Sequence, residues 1–117
     1  MERVTIIVNE SPGSVKAWNA IRLAAALRGE GLDVYVFLMH DGTYAAVKGQ
    51  EPVEGLRELN LADKLGELLE LGAQVACCSL CANARGLKQE HLIEGVFIAS
   101  MVDLAKSIKQ SRHVITF

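Results

Sequence analysis

Short apolar runs rich in β-branched residues alternate along this chain with stretches in which apolar residues recur every three or four positions. Arg3 to Asn9 reads RVTIIVN, the pattern of a strand buried on both faces of a parallel sheet. Glu10-Ser11-Pro12-Gly13 is a turn cluster, and Ser14 offers a hydroxyl for a helix N-cap. Val15 to Arg28 is predicted as a helix. Ala17, Ile21, Ala24 and Ala25 fall near one face, Trp18 and Leu27 widen the stripe, and Gly29 and Gly31 end it. Asp33 to Met39 is a second buried strand, and His40 to Glu54 reads as a long polar connection. Leu61 to Leu71 is a helix with Leu61, Leu65, Leu68 and Leu69 on one side. Ala73 to Cys78 is a third strand, followed by a short helix from Leu80 to Arg85 that Gly86 stops. Lys88 to Glu94 forms a helical turn or two, Gly95 to Ala99 a fourth strand, Met101 to Gln110 a helix and His113 to Phe117 a last strand.

Strands alternating with helices make this an α/β protein with a mostly parallel five-stranded sheet covered on both faces. The strand order does not follow from the pattern. No repeat, low-complexity tract or linker divides residues 1–117, so a single domain is expected. In open parallel sheets, ligands and reactive groups gather at the carboxyl ends of the strands. That rule selects Asn9 and Ser11, then His40 and Asp41, then the segment from Cys78 to Cys81.

Composition narrows the partners. Half of the 117 residues are hydrophobic, a high share for a small domain, and surplus apolar surface often enters a subunit interface. The formal net charge is -2 with the basic residues scattered, so no stripe suited to nucleic acid is present. The apolar runs fall far short of the roughly 20 residues a membrane span needs. The N-terminus enters a strand pattern directly, and a cytoplasmic protein with reduced cysteines is expected. No cofactor or metal is expected: one C-x-x-C without a second pair supplies only half of a zinc site, although His40, His91 and His113 are potential further ligands.

The segment Cys77-Cys78-Ser79-Leu80-Cys81-Ala82-Asn83-Ala84-Arg85-Gly86 carries the candidate chemistry. Cys78 and Cys81 form a C-x-x-C pair at a strand-to-helix junction, where free backbone N–H groups favour a thiolate, the nucleophile of sulfur exchange. Arg85, one turn beyond Cys81, adds a cation near the pair, or simply caps the helix before Gly86. Cys77 lies inside the strand pattern and reads as a small core residue. His40 and Asp41 read either as groups that polarise a thiol or as solvated loop residues.

Cys78-Ser79-Leu80-Cys81-Ala82-Asn83-Ala84-Arg85-Gly86-Leu87 is similar to the C-G-x-C-x-x-A-R-G-hydrophobic signature of DsrE/DsrF-like proteins. Leu92 to Val96, Ala99 to Ala105 and His113 to Phe117 resemble the family's C-terminal half, and Ala24 to Leu27, the Val34 to Leu38 strand and Asp41-Gly42 fit its start. Ser79 stands where the family commonly has glycine. The resemblance implies a three-layer α/β/α fold and a homo- or hetero-oligomer, with a self-associated trimer or hexamer favoured over a dimer. It also implies persulfide sulfur transfer, a sulfurtransferase-like activity, between donor and acceptor proteins. By the same resemblance Cys78 is the carrier cysteine, Cys81 a second and resolving thiol, and Arg85-Gly86 the pair that follows them. Two other readings of the same segment are a C-x-x-C dithiol–disulfide redox protein and a non-enzymatic, oligomeric small-ligand-binding domain.

Overall fold

The computed structural model describes residues 2–117. Five strands, β1 (Arg3–Val8), β2 (Asp33–Leu38), β3 (Gln74–Cys78), β4 (Phe97–Ala99) and β5 (Ser111–Thr116), form one sheet in the order β4-β3-β2-β1-β5. Every neighbouring pair is parallel. The helices are α1 (Val15–Gly29), α2 (Leu61–Glu70), α3 (Ser79–Ala84) and α4 (Met101–Gln110).

The strand order explains where each helix lies. From β1 through β4 the chain steps across the sheet in one direction, so right-handed crossovers place α1, α2 and α3 on one face. The jump from β4 back to β5 runs the other way and sends α4 to the opposite face. The core agrees with this division. Ala17, Ile21 and Ala24 of α1, Leu61, Leu65 and Leu68 of α2 and Ala82 of α3 pack with Val4, Ile6, Val34, Val36, Val75 and Cys77. Leu104 of α4 packs with Tyr35, Phe37, Ala76, Cys78 and Ala99. Burying one such aliphatic side chain contributes about 1.5–3 kcal/mol. The two-residue period of a strand therefore sends the adjacent cysteines to opposite faces, Cys77 toward α1 and α2 and Cys78 toward α4.

Helix starts follow their caps. The side chains of Ser14, Asn60 and Ser100 accept the backbone N–H of Lys16, Asp63 and Asp103 respectively. The polar connection expected after β2 is in fact ordered: His40–Ala46 is a 3-10 helix in which Gly42, Thr43, Ala45 and Ala46 are buried. Small residues let this segment press against the sheet end, and a Cβ at Gly42 would run into the carbonyl oxygen of Val8.

Candidate functional site

The connections diverge at the carboxyl ends of β3 and β4. The chain leaves β3 toward the α1/α2 face and leaves β4 toward the α4 face, which opens the crevice where open α/β sheets hold their chemistry. Cys78, the last residue of β3, pairs in register with Ala99, the last residue of β4. It is also the N-cap of α3.

The site brings together Cys78, Cys81, Arg85, His40 and Asp41. Cys78 is only 2% exposed, packed among Tyr35, Phe37, Ala99 and Leu104. Its thiol is pushed above its ordinary value, mainly because burial penalises the anion. The backbone N–H groups of Cys81 and Leu80 face the sulfur and pull the other way, but Cys78 closes no cap hydrogen bond and burial wins. The helix start thus does not make this sulfur a ready anion, contrary to the expectation from its position in the sequence. The neighbouring Cys81 side chain further favours the protonated Cys78 thiol. All three cysteines are free, and Cys81 is the one that reaches partial exposure.

Cys81 sits partly buried against the second core cluster, as do Met39 and Ile7. Its sulfur accepts the backbone N–H of His40 at 3.2 Å. His40 contributes through this amide, and its residue is otherwise exposed. The amide is aimed by a left-handed backbone at His40, φ 51°. Thr43 holds that conformation by donating its hydroxyl to the His40 carbonyl at 3.0 Å, and Gly42 N–H closes the turn onto Met39 O at 2.9 Å. Arg85 forms an ion pair with Asp41 at 3.0 Å and donates from Nη1 to the Cys81 carbonyl at 3.2 Å. The Asp41 carboxylate holds the guanidinium even more firmly protonated than usual. Arg85 therefore caps α3, one of the two readings its position offered, and also ties α3 to the 3-10 helix.

Gly86 ends α3 in the left-handed conformation, φ 67°, with its N–H on Asn83 O and the Leu87 N–H on Ala82 O, a Schellman closure. Asn9 and Ser11 take other partners. The Asn9 side chain donates to Phe117 O at 3.2 Å, and the Ser11 carbonyl accepts Ser14 N–H at 2.9 Å. Cys77 is fully buried, and its thiol is pushed up to about 12 by burial and by the neighbouring Cys78 and Cys81. Among the described residues, no three His, Cys, Asp or Glu side chains gather as a metal-binding group, and no helix is long and apolar enough to cross a membrane.

Sequence reasoning missed Thr43 and Tyr44. Thr43 shapes the amide, and the Tyr44 ring lies 5.9 Å from the Arg85 guanidinium. The signal available was the run Gly42-Thr43-Tyr44-Ala45-Ala46, too rich in small residues for an ordinary solvated loop.

Comparison with known proteins agrees with this architecture. The chain is 43% identical to the uncharacterized protein MJ0989 of Methanocaldococcus jannaschii over 98% of this chain and 99% of the relative. It is 37% identical to YchN of Escherichia coli over the full length of both. The crystal structure of YchN superposes with a TM-score of 0.91, covering 100% of each chain. A TusC homolog of Aliivibrio fischeri is 27% identical, covering 100% of both chains. The family model described as the DsrE/DsrF-like family matches residues 2–117. The chain belongs to the DsrE/DsrF-like family.

Proposed function

We propose that this protein is a persulfide sulfur carrier whose cargo rides on the Cys78/Cys81 pair. Membership of the family, with a TusC homolog among its relatives, supports sulfur relay in general. The observation that carries the specific reading is the pair of free, neighbouring thiols in the crevice between β3 and β4. In the transfer, a cysteine thiolate attacks the outer sulfur of a donor persulfide. A new S–S bond forms, the donor S–S bond breaks, and the donor leaves as a thiolate. The reverse step on an acceptor thiol unloads the cargo. Arg85 and Asp41 position α3 against the 3-10 helix, while Gly86 shapes the end of α3.

Self-association as a trimer or hexamer is part of this reading. Leu80 beside the cysteines is 75% exposed, and Phe97, Met101 and Val102 are exposed at β4 and α4, apolar surface of the kind subunits cover. Asn9 and Ser11, at the end of β1, are retained as candidate binding residues for a second subunit or a partner protein. The reduced thiols a carrier requires suit a cytoplasmic setting.

Mass spectrometry after incubation with a sulfane-sulfur donor tests the carrier reading. The fully reduced protein is expected to gain the mass of one sulfur atom on the pair. No gain with any persulfide or polysulfide donor rejects it. The free, neighbouring dithiol also favours a second reading, a dithiol–disulfide redox protein. That reading requires a reversible Cys78–Cys81 disulfide with a potential near the cytosolic poise and no sulfur gain.

A further inference from the structure

We propose that Cys81, rather than Cys78, is the sulfur that meets the donor; this rests on the carrier reading above and reverses the order the sequence suggests. Attack on a persulfide needs an open approach to the outer sulfur along the S–S axis. Cys78 offers none, being 2% exposed and enclosed by Tyr35, Phe37, Ala99 and Leu104. Cys81 lies partly buried against that cluster with part of its surface in solvent.

The surroundings of Cys81 are built for a sulfur that changes charge. The His40 N–H stands 3.2 Å from Cys81 Sγ, and its direction is set by the left-handed His40 backbone, which the Thr43 hydroxyl secures. A fixed N–H stabilises the negative charge that returns to this sulfur when the cargo leaves, without having to reorient at that moment. On the buried side, the Cys78 thiol is the neighbouring sulfur. The Arg85 guanidinium holds the Cys81 carbonyl, so the turn bearing this sulfur is tied at both ends. Cys78 is therefore a positioning residue in the loading step.

Loading is then Cys81–S⁻ plus R–S–SH giving Cys81–S–SH plus R–S⁻. The S–S bond of the donor breaks, the one at Cys81 forms, and the departing thiolate carries the electron pair. The donor is any thiol persulfide, on a protein or a small molecule.

The test uses the full chain and glutathione persulfide at a sub-stoichiometric dose. Rapid alkylation and peptide mapping then locate the added sulfur. In the unmodified protein the first sulfur is expected on Cys81. Cys81→Ser is expected to load at least about tenfold more slowly, whereas Cys78→Ser is still expected to take its first sulfur on Cys81. First label on Cys78, or an unchanged rate in Cys81→Ser, overturns the order while leaving the carrier reading intact. No uptake in any form overturns both. The mapping of the unmodified chain decides the order even if a variant folds poorly.

Discussion

The Arg85 guanidinium lies 3.0 Å from the Asp41 carboxylate, joining the end of α3 to the 3-10 helix that follows β2. The pair is partly solvated, so its removal is expected to lower the melting temperature little. Its effect is local. Arg85→Ala releases both Asp41 and the Cys81 carbonyl. Amide exchange over residues 40–46 should quicken, that of His40 most, while β1 and β2 keep their protection. Arg85→Lys should not restore the protection, because an ammonium cannot reproduce the planar fork that serves two acceptors. Unaltered exchange in Arg85→Ala would mean the pair does not hold this segment.

Gly42 and Gly66 should respond oppositely to alanine. A Cβ at Gly42 collides with the Val8 carbonyl, and the overpacking should cost about 1–3 kcal/mol in urea unfolding. At Gly66, in α2, a Cβ meets nothing within 4 Å, so Gly66→Ala should stabilise by about 0.5–1 kcal/mol. Equal midpoints for the two variants would contradict this account of the 3-10 segment.

Cys77 predicts an alkaline limit to stability. Its thiol stands at about 12 in the fold, above an ordinary value of 9.0. The folded state then holds a proton that the unfolded state has lost, so this contribution is intact below pH 9.0 and is lost as pH rises toward about 12. Urea midpoints measured from neutral pH to pH 11 should fall in the unmodified protein. They should fall less steeply in Cys77→Ala, whatever that variant loses at neutral pH from its smaller core side chain.

Ser100 caps α4 by accepting Asp103 N–H at 3.2 Å, while the Asp103 carboxylate accepts the Ser100 N–H at 2.8 Å. Ser100→Ala should cost about 1 kcal/mol of stability by chemical denaturation. Ser100→Asp should recover much of it, since a carboxylate also caps and favours the helix start.

The order and kind of elements were legible in the chain because burial imposes periods of two and of 3.6 on strands and helices. The start of α1 and the full extent of α4 agree with the sequence reading, and β1 and β2 differ by one residue at their ends. The segment after β2, expected as a polar connection, is a partly buried 3-10 helix over His40–Ala46. Its buried residues are glycine, threonine and alanine, which carry little hydropathy signal, and its partner is the distant end of β1.

For the site, the chain alone determined that two cysteines three residues apart stand at a strand-to-helix junction with an arginine one turn on, because those relations are local. The tertiary structure alone decided which sulfur is enclosed and which is reachable. Packing of Cys78 depends on Tyr35, Phe37, Ala99 and Leu104, brought from three other elements by the β4-β3-β2 order and the return of α4 across the opposite face. The His40 amide at Cys81 likewise spans 41 residues of sequence. Exposure and long-range hydrogen bonding belong to the assembled surface, and no local pattern encodes them.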